Sequence, residues 1–173
     1  MLQQGFVQIY TGNGKGKTTA AIGLAVRCAG AGGRALFCQF LKKGDSSEWA
    51  ALRHLKDRIT HRAFGSGGFI RGAPSAEDLR LARTGMDEAR QALSSGDYDL
   101  IVLDELLGAL AKGLVDNQAV FDLLCQRPPH TELVLTGRNA PAELVEKADL
   151  VTEMREIKHY YQQGVTSRTG IEK

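Results

Sequence analysis

The stretch from Phe6 to Gly23, FVQIYTGNGKGKTTAAIG, constrains this chain more than any other. Phe6, Val7, Ile9 and Tyr10 read as a buried strand, Ala20, Ala21 and Ile22 begin a helical pattern, and a run of Gly, Lys, Thr and Asn joins them. A strand that turns through glycines into a helix leaves backbone N–H groups pointing outward at the positive end of the helix dipole, which suits phosphate oxygens. The spacing G-x-x-x-x-G-K-[ST] ends at Gly16, Lys17 and Thr18, with Thr11 where the first glycine usually stands and Gly12 one place later. The loop is therefore a variant P-loop. Gly12, Asn13, Gly14, Lys15, Gly16, Lys17, Thr18 and Thr19 are its candidate phosphate-binding residues. Lys17 is expected to reach the outer phosphates, and the Thr18 hydroxyl to ligate Mg²⁺.

Other segments read as alternating strands and helices. After the first helix, stopped by Gly30, Gly32 and Gly33, Arg34–Leu41 is a second strand that opens on Lys42 and Lys43. Those lysines are either phosphate contacts or a solvated pair. Ser46 or Ser47 caps a short helix through Trp49 and Leu55, and Ile59–Phe64 is a weaker strand. The glycine-rich segment Gly65–Pro74 carries Phe69 and Ile70, as a flap over a ligand or with Phe69 tucked inward. Ser75, with Asp78 three later, caps a long amphipathic helix that Gly96 ends.

Tyr98–Leu103 is then a strand buried on both faces, followed by Asp104 and Glu105. An apolar strand ending in Asp-Glu, well after a P-loop, is the Walker B pattern. It sets carboxylates beside the cation that the P-loop threonine holds, so Thr18, Asp104 and Glu105 are candidate Mg²⁺ or Mn²⁺ ligands, hard oxygens for a hard ion. A short helix from Leu106, a second capped by Asp116, the strand Thr131–Thr136, a helix begun at Pro141 and a last strand Asp149–Met154 complete the alternation. Arg138 and Asn139 follow the fifth strand, where Arg138 either meets phosphate or developing negative charge or is a solvated loop arginine. Residues 158–173 read as a C-terminal tail, over or near the ligand face or a surface extension. The implied fold is a single P-loop α/β domain with a mostly parallel central sheet flanked by helices, which the resemblance given below makes RecA-like.

At 173 residues and 43% hydrophobic content the chain has enough apolar surface for one core. Net charge is +2, from 22 basic and 20 acidic residues, which argues against a dedicated nucleic-acid surface. Cys28, Cys38 and Cys125 lie far apart without C-x-x-C spacing, as expected of reduced thiols in a cytoplasmic protein. No positively charged leader or long apolar run is legible, so neither secretion nor membrane insertion is expected.

Taken together, TGNGKGKTTAAIGLAVRCAG (11–30), QF (39–40), YDLIVLDEL (98–106), RP (127–128), LTGRNAP (135–141), ADLVTEM (148–154) and the KH, GV and GIE pieces of the tail resemble the P-loop type of ATP:corrinoid adenosyltransferase. The resemblance implies transfer of the 5′-deoxyadenosyl group of ATP to Co(I) of a reduced corrinoid, with release of triphosphate. It also implies a homodimer and an electron donor such as a flavoprotein reductase. Lys17, Arg138 and Glu105 are then the catalytic candidates. Phe69 matches the phenylalanine of the family's Phe-x-Trp pair against the corrinoid, and Arg71 stands where the tryptophan would be. A P-loop ATPase or kinase transferring the γ-phosphoryl group is the alternative, separable by its products.

Overall fold

The computed structural model describes residues 2–67, 70 and 72–172. Its centre is a six-stranded sheet in the order β3-β2-β4-β5-β1-β6, with β1 at Val7–Thr11, β2 at Ala35–Phe40, β3 at Ile59–Phe64, β4 at Leu100–Asp104, β5 at Glu132–Thr136 and β6 at Leu150–Glu153. Every pairing is parallel, one step beyond the mostly parallel sheet expected. The helices are α1 (Lys17–Gly30), α2 (Ser47–Leu52), α3 (Ala76–Ser95), α4 (Leu106–Ala111), α5 (Asn117–Gln126) and α6 (Ala142–Lys147). This is an α/β architecture of the RecA-like P-loop kind.

Strand chemistry explains the layering. Successive side chains leave opposite faces of a strand, and parallel strands joined through helices are covered on both. Leu36, Cys38 and Phe40 of β2 therefore join Ile101 and Leu103 of β4 in a core with Met86, Ala89, Leu107 and Leu123 from α3, α4 and α5. Ala35, Phe37, Leu100 and Val102 face the other way, against Ala21, Ala25 and Ala29 of α1 and Trp49 of α2. On α3, Gly85 lets the helix settle onto the sheet, since a Cβ there would lie 2.8 to 2.9 Å from the rings of Phe40 and Phe64.

The helix ends follow local chemistry. Ser75 and Asp78 close a reciprocal capping box and Gly96 ends α3 at φ 67°. Asp116 caps α5 by accepting from the Ala119 N–H at 2.7 Å. At α2 the expected side-chain cap is not formed: Ser46 has the right backbone, but its hydroxyl accepts nothing from the first turn. Tyr98 also falls outside β4, which starts at Leu100, and packs instead under the Arg34 guanidinium. In the edge strand β6 all four residues are exposed, whereas β3 at the other edge buries Ile59 and Phe64.

Candidate active site

All strands being parallel, β1, β2, β4 and β5 end at one edge of the sheet and place their following loops side by side. Three non-glycine residues there adopt left-handed backbone conformations: Leu41 (φ 63°) after β2, Glu105 (φ 58°) after β4 and Asn139 (φ 55°) after β5. This conformation costs a side-chain-bearing residue roughly 1–2 kcal/mol and clusters where a site must be shaped. All three line one cavity of about 1320 Å³. Asn13, Gly14, Lys15, Gly16, Lys17, Thr18 and Thr19 form its floor, with Lys42, Lys43 and Arg138 around them.

The loop glycines answer first to the chain itself. A Cβ on Gly12 (φ 95°) would fall 2.5 Å from the Met154 carbonyl oxygen, and one on Gly14 would fall 2.7 Å from the same atom. The Gly14 N–H donates to that oxygen at 2.7 Å, so the loop is stitched to the end of β6. Thr11, at the irregular motif position, uses its hydroxyl to accept from the Ala140 N–H at 3.3 Å, tying the P-loop to the segment that carries Arg138 and Asn139. Lys17 is 7% exposed, and its ammonium donates to the Gly12 and Gly14 carbonyls at 2.7 Å each. Burial first lowers its pKa, with the Glu105 charge opposing that shift and Arg138 adding to it.

Asp104 is the polar centre. It is fully buried, yet its carboxylate accepts from four side chains: Thr18 Oγ1 (2.8 Å) and Thr136 Oγ1 (2.7 Å) on one oxygen, Gln39 Nε2 (3.1 Å) and Lys42 Nζ (2.9 Å) on the other. Register explains the convergence. Gln39 of β2 pairs with Asp104 of β4, and Thr136 stands one step past the Leu103–Leu135 pair of β4 with β5.

The Gln39 oxygen in turn accepts from the Trp49 indole N–H at 2.7 Å and lies 3.0 Å from His61 Nε2. With the Gln39 amide nitrogen committed to Asp104, its oxygen is an acceptor only, so His61 must carry its proton on Nε2. His61 stacks flat on Trp49 with ring centroids 3.6 Å apart, and burial pushes its pKa down to about 4.

Glu105 donates its backbone N–H to Thr136 Oγ1 at 3.0 Å, while its side chain reaches the cavity. Burial raises its pKa, and the neighbouring Asp104 charge raises it further. The two adjacent carboxyls thus have different surroundings. Asp104 is saturated with donors, whereas Glu105 is held in a poorly solvated position facing the cavity.

Of the sequence-derived candidates, the P-loop residues from Asn13 to Thr19, Glu105, Arg138 and Asn139 line the cavity, with Gly12 and Asp104 directly behind them. Phe69 and Arg71 lie outside the described residues. The tail contributes His159, Ile171 and Glu172 to the outer rim, and Lys15 Nζ donates to the Ile171 carbonyl at 2.8 Å. Thr18, Asp104 and Glu105 supply hydroxyl and carboxylate oxygens, the donor set of Mg²⁺ or Mn²⁺ beside a polyphosphate. Among the described residues there is no cluster of three or more His, Cys, Asp or Glu side chains of the kind that holds zinc. Gln39, Thr136, Trp49 and His61 escaped the motif reading of the site, because strand register brings Gln39 and Thr136 to Asp104, and Trp49 of α2 and His61 of β3 join only through Gln39.

Residues 3–172 match the family described as ATP:corrinoid adenosyltransferase BtuR/CobO/CobP. A corrinoid adenosyltransferase of Pseudomonas aeruginosa is 33% identical over 98% of this chain and 84% of its own length. Those of Escherichia coli and Salmonella typhimurium are 31% and 30% identical, each over 98% of this chain and 86% of their own length. With a P-loop and an acid-tipped strand meeting at one cavity and a match spanning nearly every residue, this chain belongs to the ATP:corrinoid adenosyltransferase family.

Proposed function

We propose that this cavity holds ATP with its triphosphate along the 12–19 loop and its C5′ open to Co(I) of a reduced corrinoid. The enzyme is an adenosyltransferase: a cobalt electron pair becomes the new Co–C5′ bond, and as the C5′–O bond breaks its own pair leaves on the triphosphate oxygen. Since Co(I) is itself the nucleophile, the protein's work is alignment and charge stabilisation. Lys17 and the loop N–H groups hold the triphosphate. Arg138 meets the negative charge that grows on the departing oxygen. Asn139 shapes the same wall.

Mg²⁺ or Mn²⁺ would be held by Thr18, with Asp104 and Glu105 beside it, and when bound would neutralise triphosphate charge. The observation that carries this reading is the 2.8 Å bond between the P-loop Thr18 hydroxyl and the buried Asp104 carboxylate, which joins phosphate and cation sites. A volume of about 1320 Å³ also exceeds the roughly 300–1,000 Å³ of a site for one small molecule, which favours two substrates together.

The proposal includes cytoplasmic location, a flavoprotein-type electron donor and a homodimer, the last measurable by light scattering. Among the described residues no helix is long and apolar enough to cross a membrane. The deciding experiment incubates the protein with ATP, Mg²⁺ and chemically reduced cobalamin. Stoichiometric triphosphate and a light-sensitive cobalt–carbon product are expected. ADP with orthophosphate would instead mean γ-phosphoryl transfer and end this reading.

A further inference from the structure

We infer that the Lys42 ammonium stands in for the divalent cation before nucleotide arrives, so that free metal is excluded and metal is admitted together with ATP. This rests on the magnesium-dependent reading above. Lys42 Nζ lies 2.9 Å from Asp104 Oδ2 and 3.1 Å from Thr18 Oγ1, bridging the two oxygens on which a P-loop metal depends. Thr18 gives its hydrogen to Asp104, so its lone pairs face away from the carboxylate, and Lys42 donates into one of them. A cation that bridges Thr18 Oγ1 and Asp104 Oδ2 has to take the position that Lys42 Nζ holds.

The rest of the coordination explains why Lys42 is the partner that leaves. A carboxylate has about four lone-pair sites, and Asp104 has four donors. Thr18 is fixed in the first turn of α1, Thr136 ends β5, and Gln39 is fully buried and held by Trp49. Lys42 alone reaches in on a flexible stem, with its side chain 35% exposed. It also lines the cavity with Lys17, within the space where triphosphate oxygens would enter.

Exchange of Lys42 from carboxylate to phosphate, with the metal taking its place, never leaves the buried Asp104 charge without a counter-ion. An uncompensated charge at such a depth costs several kcal/mol. The exchange therefore couples metal binding to nucleotide binding.

The test measures Mn²⁺ binding by electron paramagnetic resonance without corrinoid, with and without ATP, in the native protein, Lys42→Met and Lys43→Met. Without nucleotide, Lys42→Met should bind Mn²⁺ about tenfold more tightly than the native protein, within the usual range of coupling between sites. Lys43→Met, which removes an equal charge from the same cavity, should change affinity by less than about twofold once salt screens the field.

ATP should tighten Mn²⁺ binding strongly in the native protein and much less in Lys42→Met. Lys42→Gln, uncharged but still polar, should follow Lys42→Met and supplies the comparison if that variant folds poorly. Unchanged nucleotide-free affinity in the Lys42 variants, or an equal gain in Lys43→Met, overturns the inference. Triphosphate release would still stand in that case. Conversely, a product other than triphosphate would end the adenosyltransferase reading whatever the lysine does.

Discussion

At the inner wall of the cavity Asp104 has no exposed surface and four donors, and behind it Gln39, Trp49 and His61 continue the network into the protein. At the outer rim the tail is exposed and bonded mostly to itself. Arg168 reaches Glu172 at 3.1 Å and lies 4.8 Å above the Tyr160 ring, the Tyr160 hydroxyl meets Glu172, and Lys15 reaches across to the Ile171 carbonyl. The inner wall is thus preorganised, with Asp104 held by the fixed donors Thr18, Thr136 and Gln39 and with Lys42 as its movable partner. The rim is held by solvated contacts that cost little to rearrange. Such a division suits a reaction in which ATP must be gripped in one geometry while a bulky macrocycle enters and its product leaves.

The largest effect is expected at the inner wall. Lys17→Ala removes the ammonium from the loop and should lower kcat/KM for triphosphate release roughly 10³-fold, the upper range for losing one charge-stabilising donor. Thermal unfolding should barely move, since the loop remains stitched to Met154 through Gly14. Turnover close to native would take the P-loop out of the chemistry and remove the functional half of the contrast.

Asp104→Asn comes next, with roughly a 10²-fold loss of turnover and about 2–3 kcal/mol of stability. An amide at this position has one oxygen for four donors: its NH2 either faces Gln39 Nε2 and Lys42, donor against donor in a dry place, or faces the Thr18 and Thr136 hydroxyls and makes both turn their hydrogens away. Trp49, the chain's one tryptophan, is bonded to Gln39, so its fluorescence should shift as Gln39 reorients. An unchanged emission spectrum and an unchanged urea midpoint would show that the network is not coupled as described.

These residues also mark what could be learned before any coordinates. The P-loop and the Asp104-Glu105 pair are local signals: glycine spacing, an apolar run and adjacent acids reveal themselves within a few residues. The capping box of α3 was legible for the same reason. Gln39 and Thr136 were not, because their meaning depends on β2 and β5 flanking β4 in one register, and an apolar strand does not name its neighbours.

The irregular Thr11 was visible as a departure, but its bond to Ala140 joins positions 129 residues apart. Gly12 and Gly14 read from the sequence as phosphate-binding positions, and the structure adds that the closest atom to a Cβ at either is the Met154 carbonyl oxygen. Ser46 is the opposite case, a residue of the right type whose hydroxyl does not perform the expected cap.

A smaller effect tests whether the wall's network extends to His61. Its pKa is pushed down to about 4 from an ordinary 6.5, so the folded protein holds it neutral while the unfolded chain protonates it first. Stability from this group is complete above pH 6.5 and falls as the pH drops from there toward about 4. Discounted for partial exposure, the loss between pH 7 and 5 should be about 1 kcal/mol. Urea unfolding should show that slope in the native protein and a flatter one in His61→Gln. Equal slopes would place His61 outside the network.

The smallest effect should come from the rim. Arg168→Met removes the guanidinium that holds the Glu172 carboxyl down at about 2, chiefly by its hydrogen bonds, and leaves the Tyr160 ring uncovered. Because this cluster is solvent-exposed, turnover should change by less than about threefold, in keeping with the small energies of surface ion pairs. Amide hydrogen exchange over residues 160–172 should nevertheless quicken, while exchange in β4 and α1 stays as it was. A loss of turnover approaching that of Lys17→Ala would mean that the tail is as much a built part of the site as Asp104. The contrast between committed wall and yielding rim would then be wrong at the rim, where Lys15 and Ile171 already join the two.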